Sequence, residues 1–225
     1  MKRAICMILA ITLAAVTALA LCEEANPAKD VPLLVNRECP LPEGYVPEKL
    51  VLLSDVIPEG LCTYEHEGML ANREAAEAWV NLLTAAHADG LTEWQFSEAY
   101  RTVEDQQRIF DETVQSYMDE YGMDRERAVQ VTMDSVAPAG TSEHHTGLAF
   151  DVTVPGEYFG DTAQYVWMTR HCWEYGFILR YSEDWEDETG YEAEEWHYRY
   201  VGIEHAMKIH ELDTCLELYV EMLTE

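Results

Sequence analysis

The amino-acid sequence predicts an α+β domain in which helices flank a small antiparallel sheet and an extended N-terminal arm comes first. Three observations lead to this prediction: segments with apolar residues at helical spacing, short strand-like runs between them, and a proline-rich stretch at 32–62. The chain has 225 residues, a length typical of one domain with a short extension. We place the domain at 32–225 and count the arm as its first part.

The first residues have the pattern of an export signal. Lys2-Arg3 supplies a positive start, an apolar stretch follows from Ala4 to Leu21, and Ala18-Leu19-Ala20 forms a cleavage site of small residues. We therefore predict a signal peptide at 1–20 and a polar linker at 21–31. The apolar stretch is about as long as a membrane span, so an uncleaved N-terminal anchor is the alternative.

The segment at 32–62 is predicted to form an extended arm that wraps on the domain. Proline lacks a backbone N–H and disfavours helix both at its own position and at the residue before it. The segment contains Pro32, Pro40, Pro42, Pro47 and Pro58. Apolar residues at Leu33–Val35, Tyr45 and Val51–Leu53 are the expected anchors of the arm.

Helices are predicted where apolar residues recur every three or four positions. In the first helix, Ala75, Trp79 and Leu82 share one face, and Gly90 stands where a C-terminal cap belongs. The predicted helices cover 72–89, 103–121, 124–135, 162–175, 203–211 and 214–223. Short strands are predicted between them, at 94–100, 148–154, 177–181 and 196–201.

Composition restricts the class of partner. The chain has 14 Lys+Arg against 43 Asp+Glu, a formal net charge of −29. A surface with this much negative charge repels nucleic acid and anionic lipid. We therefore expect no nucleic-acid partner, and no membrane contact beyond the possible N-terminal anchor. The acidity itself is typical of a solvated surface, and we expect a monomer.

The cysteines do not suggest a metal site. After signal cleavage five would remain, an odd number, so at least one is free or pairs between chains. The sequence contains no Cys-x-x-Cys motif. We expect Cys172 and Cys215 to form a disulfide or to lie in the core, because neither is in a motif that would activate a thiol.

Three polar clusters, at 97–106, 142–151 and 194–202, contain a candidate metal site. Two imidazoles and one carboxylate are a common catalytic zinc set, which leaves a position open for water. His144 in a loop and Asp151 on the next strand can converge on one ion, and His197 on another strand can complete the set. We expect one zinc ion per chain, although these ligands could also bind another divalent ion.

Two further residues have suitable chemistry beside that set. Glu194 precedes His197 by three residues, so its carboxylate can reach the zinc-activated water without binding the metal. It can take the proton of that water and later deliver it to the leaving amine. Arg101 can balance the charge that develops on the carbonyl oxygen.

Each of these residues also has a purely structural explanation. His144 and His145 could form a polar turn, and Asp151 could cap a neighbouring helix. The run Trp196–Tyr200 could be an aromatic strand of the core. Arg101 could form a surface ion pair, which is easily met in so acidic a chain.

The combination of motifs is more specific than its parts. Ser-x-His-x-x-Gly-x-Ala-x-Asp over 142–151, followed by Glu-x-Trp-His-Tyr-Arg-Tyr-Val-Gly over 194–202, closely resembles the VanY-like zinc D-Ala-D-Ala carboxypeptidases. The resemblance extends over roughly 32–223. Further similar segments are Leu33–Arg37, Leu41–Tyr45, Gly176–Tyr181, Thr189–Tyr191 and Leu216–Tyr219.

This resemblance implies a role for each residue at a matching position. It implies His144, Asp151 and His197 as zinc ligands, Glu194 as general base and acid, and Arg101 as the group that binds the scissile carbonyl oxygen. It implies Ser142 and Gln106 as substrate-binding residues.

The sequence departs from the family pattern at two positions. Glu195 stands where proline is frequent, which could loosen the backbone that carries Glu194. His145 stands where glutamine is frequent, and it could compete for metal or donate to substrate. We expect a neutral substitution instead, because adjacent residues on an extended segment point to opposite sides.

The resemblance therefore implies an exported or membrane-anchored enzyme that removes the terminal D-Ala from peptidoglycan stem peptides at the cell wall. The alternatives within the same site are an L,D-carboxypeptidase that trims tetrapeptide stems and a D,D-dipeptidase, although a dipeptidase is usually cytoplasmic. A non-catalytic wall-binding module is the alternative of another class. Such a module is expected to lose Glu194 or a metal ligand, and none is lost here.

Overall fold

A computed structural model of the protein describes residues 31–225. The predicted signal peptide, 1–20, lies outside these residues, and so do residues 21–30 of the predicted linker. Within the described part of the chain, no helix is both long enough and apolar enough to cross a membrane.

Two sheets organise the described residues. The strands are β1 (Leu50–Leu52), β2 (Thr63–Tyr64), β3 (Leu70–Asn72), β4 (Gln95–Glu98), β5 (Ala149–Thr153), β6 (Phe177–Tyr181) and β7 (Glu194–Tyr200). The main sheet has the order β2-β4-β5-β7-β6, and β1 pairs with β3 in a separate ribbon. All pairs are antiparallel except the short pair of β2 with β4. The two central strands, β5 and β7, carry three of the predicted site residues.

Helices surround this sheet. They are α1 (Leu53–Val56), α2 (Arg73–Ala88), α3 (Val103–Tyr121), α4 (Arg125–Ser135), α5 (Ala163–His171), α6 (Glu186–Thr189), α7 (Ile203–Leu212) and α8 (Leu216–Thr224). Single 3₁₀ turns occur at Glu143–Thr146, Phe159–Asp161, Cys172–Tyr175 and Glu183–Trp185. The predicted α+β class is confirmed.

The core forms where α2 packs on the main sheet. Asn72 caps this helix, and its side chain accepts from the N–H groups of Glu74 and Ala75. The buried ring of Trp79 then contacts one phenylalanine from each of three strands: Phe96 at 5.0 Å, Phe150 at 5.7 Å and Phe177 at 4.6 Å between ring centroids. Aromatic packing of this kind stabilises the sheet that holds the site.

The helices α3 and α4 form a hairpin beside the sheet. Thr102 caps the start of α3, and Gly122 ends the helix with a left-handed φ of 65°. Asp124, two residues after Gly122, is the N-terminal cap of α4, so a short connection joins the two helices. Phe110 and Val114 of α3 pack on Ala128 of α4 in a small cluster of their own. The hairpin forms one wall of the cleft described below.

The N-terminal arm follows the surface as predicted, without regular helix or strand over residues 32–49. Val35 and Asn36 are buried. Arg37 stacks over the ring of Tyr191 at 4.3 Å and donates hydrogen bonds to the carbonyls of Met133 and Gly190. These contacts join the arm to the α3–α4 hairpin and to the segment that leads into β7.

The structure differs from the sequence predictions mainly in the short elements. Within 50–62, where only an extended arm was predicted, it contains β1 and α1, and the short strands β2 and β3 follow within 63–72, where no element was predicted. Elements of this length are too short to show a periodic pattern in the sequence. The three strands form by pairing with residues that are distant along the chain. The predicted helix at 162–175 ends at His171 and continues as a 3₁₀ turn to Tyr175.

The cysteines have different states. Cys172 and Cys215 are free and buried, so of their two predicted fates the core location is the one observed. Cys62 is also free, whereas Cys39 is disulfide-bonded. Burial raises the pKa of the Cys172 thiol to about 12, which agrees with an unreactive core residue.

Candidate active site

His144 lies in a tight turn that the local sequence imposes. The side chain of Ser142 accepts from the N–H of His144 at 3.3 Å and starts the 3₁₀ turn, and Gly147 ends it at a left-handed φ of 70°. The Nδ1 atom of His144 lies 2.6 Å from the carbonyl oxygen of Ala99. A carbonyl can only accept, so Nδ1 carries the proton and Nε2 keeps its lone pair. That lone pair faces Asp151, whose Oδ2 is 3.5 Å away.

Asp151 and His197 are direct partners in the pairing of β5 with β7. Facing residues of an antiparallel pair hold their side chains close together on one side of the sheet. Oδ1 of Asp151 lies 3.2 Å from Nδ1 of His197. The donor atoms of His144, Asp151 and His197 all lie within 4.8 Å of one another. The structure thus brings the predicted ligand set together.

The electrostatics of this cluster suit a cation. Burial tends to raise the pKa of Asp151, but His144 and His197 outweigh it and hold the pKa well below its ordinary value. For His197 burial tends to lower the pKa, but the carboxylates of Asp151, Glu143 and Glu194, which lie 3.2–3.6 Å from its ring nitrogens, raise the pKa well above the ordinary value. Oδ1 of Asp151 is buried and has no hydrogen-bond partner among residues 31–225. An unsatisfied buried carboxylate oxygen between two imidazoles fits a divalent ion of the zinc type.

Glu194 is the first residue of β7 and lies beside the ligand set. Its Oε2 is 3.4 Å from Nδ1 of His197, and its side chain lines an open cleft. It therefore lines the same cleft as His144, Asp151 and His197 and lies next to one of them. This is a suitable place for a group that moves a proton.

Arg101 also lines the cleft and is held there by two side chains. Its Nη1 donates to Oε1 of Gln106 at 2.7 Å, and its Nε donates to Oε2 of Glu98 at 3.1 Å. Gln106 is buried at the start of α3 and donates to the carbonyl of Ala137 at 2.6 Å. Only 14% of the Arg101 side chain is exposed. The guanidinium is therefore fixed inside the cleft rather than free in a surface ion pair.

The remaining predicted residues lie at the margin of the site. Ser142 is buried, caps the turn of His144, and is absent from the residues of the described chain that line the cleft. His145 points away from the metal donors: its Nδ1 lies 2.8 Å from the carbonyl oxygen of Arg101, and its Nε2 accepts from the N–H of Gly140. Glu195 accepts from the hydroxyl of Tyr158 at 2.6 Å. Both ring nitrogens of His145 thus contact backbone groups, and the ring supports the backbone at Arg101.

The cleft has a volume of about 240 Å³ and includes residues that sequence reasoning did not assign. They are Ile109, Ser135, Val136, Ala137, Tyr181, Tyr191 and Trp196. Tyr181 and Tyr191 are in segments that resemble the family, but no motif chemistry indicates their position. The residues at 135–137 end α4, and only the packing of the α3–α4 hairpin brings them to the site.

Comparison with known proteins agrees with this geometry. The family model described as VanY, D-alanyl-D-alanine carboxypeptidase, matches residues 68–203. A D-alanyl-D-alanine carboxypeptidase of Enterococcus faecalis is 38% identical over 188 residues, which cover 84% of this chain and 65% of that protein. This chain therefore spans somewhat less than two thirds of that relative.

Two solved structures have the same fold. One is a variant of the vancomycin resistance D,D-pentapeptidase VanY in complex with Zn(II), with a TM-score of 0.71, 37% identity, and coverage of 83% of this chain and 97% of the other. The second is the LD-carboxypeptidase LdcB, with a TM-score of 0.69, 35% identity and coverage of 84% of each chain. The residues of the cleft and these likenesses lead to one conclusion: the chain belongs to the VanY family of D-alanyl-D-alanine carboxypeptidases.

Proposed function

We propose that this protein is a zinc-dependent carboxypeptidase that removes the terminal D-alanine from peptidoglycan stem peptides. One observation carries the proposal: the donor atoms of His144, Asp151 and His197 lie within 4.8 Å of one another, with Glu194 beside them in the same cleft. Such a set, open on one side, is typical of catalytic rather than structural zinc.

The metal ligands are His144 through Nε2, His197 through Nδ1, and the carboxylate of Asp151. Their lone pairs are free for this role, since Nδ1 of His144 is used by the carbonyl of Ala99. When bound, zinc supplies Lewis-acid activation of water and of the scissile carbonyl.

Glu194 is the general base and acid of the reaction. Its carboxylate takes a proton from the attacking water and transfers it to the nitrogen of the departing D-alanine. A single carboxylate can do both because the two proton transfers follow one another.

Arg101 binds the carbonyl oxygen on which negative charge develops. A guanidinium that Glu98 and Gln106 already hold in place needs little reorganisation when that charge forms. Gln106 lines the cleft, and Ser142 contributes through the turn that carries His144. A direct contact of Ser142 with substrate stays a prediction, because Ser142 is buried and does not line the cleft in the described chain.

The likeness to LdcB supports a second candidate, in which the same residues cut the L,D bond of a tetrapeptide stem. The metal, base and arginine roles are the same for both bonds. The difference lies in how the cleft receives the residue before the scissile bond.

The wall substrate requires action outside the cytoplasm, which agrees with the export pattern at 1–20. We therefore propose a secreted or membrane-anchored monomer that acts at the cell wall. Its net charge of −29 argues against nucleic acid as a partner.

The test uses the purified chain without the export signal and two synthetic stems, a pentapeptide that ends in D-Ala-D-Ala and the corresponding tetrapeptide. We expect D-alanine release from the pentapeptide, its loss with a chelator, and its return when zinc is added. Release from the tetrapeptide alone would establish the L,D activity instead. A zinc-loaded protein that cleaves neither peptide would contradict both and favour a wall-binding role.

A further inference from the structure

We propose that Glu143 is a positioning residue that holds His197 in the orientation and tautomer needed for metal binding, a role that rests on the proposed zinc site. Glu143 directly precedes His144, but its side chain points away from the cleft into the interior. Its side chain is completely buried, with 0% exposed.

One oxygen of Glu143 is surrounded by positive charge. Oε1 accepts from Nε of Arg180 at 2.8 Å, and Nη1 of Arg199 forms an ion pair with it at 2.8 Å. Both arginines are as buried as the carboxylate, on β6 and β7. An ion pair in the interior requires fixed geometry to offset the loss of water, so this oxygen is held in one place.

The other oxygen of Glu143 faces His197. Oε2 lies 3.6 Å from Nε2 of His197, and neither atom has a hydrogen-bond partner within residues 31–225. Two buried polar atoms without partners that face each other at this distance form a hydrogen bond after a shift of about half an ångström.

The direction of this bond fixes the tautomer of His197. Nδ1 of His197 is the atom that lies 3.2 Å from Asp151 and 3.4 Å from Glu194, so Nδ1 faces the metal donors. A neutral imidazole that binds metal through Nδ1 carries its proton on Nε2. Glu143 is the carboxylate placed to accept that proton. Such carboxylate–histidine–metal arrangements orient the ring and strengthen the ligand.

The support behind Glu143 extends to the N-terminal arm. Arg180 donates to both oxygens of Glu217 in α8, at 2.9 Å and 2.5 Å. Asn36 of the arm donates to Oε1 of Glu217, and Nη2 of Arg199 donates to the carbonyl of Leu33. Two carboxylates and two guanidinium groups balance each other, so the cluster can remain buried while one oxygen of Glu143 stays available to His197.

A plainer role for Glu143 is to neutralise the two arginines. The variants Glu143→Gln and Glu217→Gln distinguish the two roles. Each variant removes one negative charge from the same cluster, so a role in charge balance alone predicts similar effects. Only Glu143 faces His197, so a positioning role predicts that zinc binding changes in Glu143→Gln alone. The measurement is zinc affinity, obtained by competition with a chelator of known affinity. It needs no hydrolysis, so it is separate from the test of the carboxypeptidase reaction.

We expect Glu143→Gln to weaken zinc binding by about 10- to 100-fold, the usual effect of removing a partner of a ligating histidine. We expect Glu217→Gln to lower the thermal midpoint and leave zinc affinity close to that of the unsubstituted protein. Equal losses of zinc affinity in the two variants, or no loss in either, would overturn the proposal.

A second measurement avoids substitution, in case Glu143→Gln does not fold. In ¹⁵N-labelled, zinc-loaded protein, we expect the Nδ1 resonance of His197 to shift on metal binding and its Nε2 proton to exchange slowly with water. A His197 that binds zinc through Nε2, or an Nε2 proton that exchanges as fast as that of an exposed histidine, would contradict the inference.

Discussion

Asp151 and His197 are facing residues in the pairing of β5 with β7, and Oδ1 of the aspartate lies 3.2 Å from Nδ1 of the histidine. Two of the three proposed ligands therefore lie on paired interior strands of the main sheet. The third, His144, is held by the carbonyl of Ala99. Sites built on such supported elements need little rearrangement when metal binds, so changes in the acid/base residues should affect chemistry and leave metal binding intact.

Glu194→Gln is the first test of that separation. Glu194 lies beside the ligands and is not one of the three converging donors, so we expect zinc content close to one ion per chain. Loss of the proton-transfer group should lower kcat by about 10²- to 10⁴-fold. Zinc content by metal analysis and D-alanine release are measured on the same sample. Substantial hydrolysis by this variant would exclude Glu194 as the base.

Arg101→Lys tests whether the fork of the guanidinium is needed in addition to its charge. Lysine keeps one positive charge but lacks the planar fork through which Arg101 contacts Glu98 by Nε and Gln106 by Nη1. We expect kcat/KM to fall by about 10²- to 10³-fold, because the group that meets the developing charge is no longer fixed. Zinc affinity should not change.

A matched control for this variant is Arg108→Lys. Arg108 lies on the exposed side of α3, where it pairs with Asp105 and Glu112. It is absent from the cleft lining, so its replacement should leave kcat/KM within experimental error. If both variants lose activity to the same extent, overall charge rather than the position of Arg101 controls the rate.

Much of this site was predictable from sequence because its chemistry is local. The proposed ligands and base fall in two short motifs, and the long helices have clear apolar periodicity, so the bounds of α2 to α5 and α7 to α8 agree with prediction to within four residues. Contacts between distant segments were not predictable. The role of Glu143 depends on Arg180, Arg199 and Glu217, which only the folded sheet and α8 bring to it.

Gly147→Ala tests the turn that carries His144. An added Cβ at Gly147 would lie 2.7 Å from Cδ2 of Leu50 and 3.0 Å from the backbone nitrogen of Asn72. The left-handed φ of 70° alone costs about 1–2 kcal/mol for alanine, and the crowding adds about 1–3 kcal/mol. Gly140→Ala is the control, since its φ is 86° but its Cβ would meet nothing within 4 Å.

The measurement is the free energy of unfolding in urea for both glycine variants. We expect Gly147→Ala to lose clearly more stability than Gly140→Ala, and to bind zinc more weakly because the turn of His144 shifts. Equal losses in the two variants would show that φ alone, and not the contact with Leu50 and Asn72, requires glycine at this position.

The buried carboxylate of Glu143 should control part of the acid stability. Burial tends to raise the pKa of Glu143, but Arg180 and Arg199 outweigh it and hold the pKa well below the ordinary value of 4.5. A carboxyl whose pKa is lower in the folded state stabilises the protein fully above its unfolded pKa. The contribution declines as pH falls below 4.5 toward the folded value, by about 1.4 kcal/mol for each pH unit.

We therefore expect the difference in free energy of unfolding between the unsubstituted protein and Glu143→Gln to be constant from pH 7 to about 5 and to shrink below about 4.5. Urea unfolding with a chelator present keeps metal binding out of the comparison. In the unsubstituted protein, the ¹³C resonance of the Glu143 carboxyl should not titrate between pH 5 and about 3. Titration with an ordinary pKa would mean that the arginines do not hold this carboxylate in its charged form, and the acid sensitivity would then have to arise elsewhere.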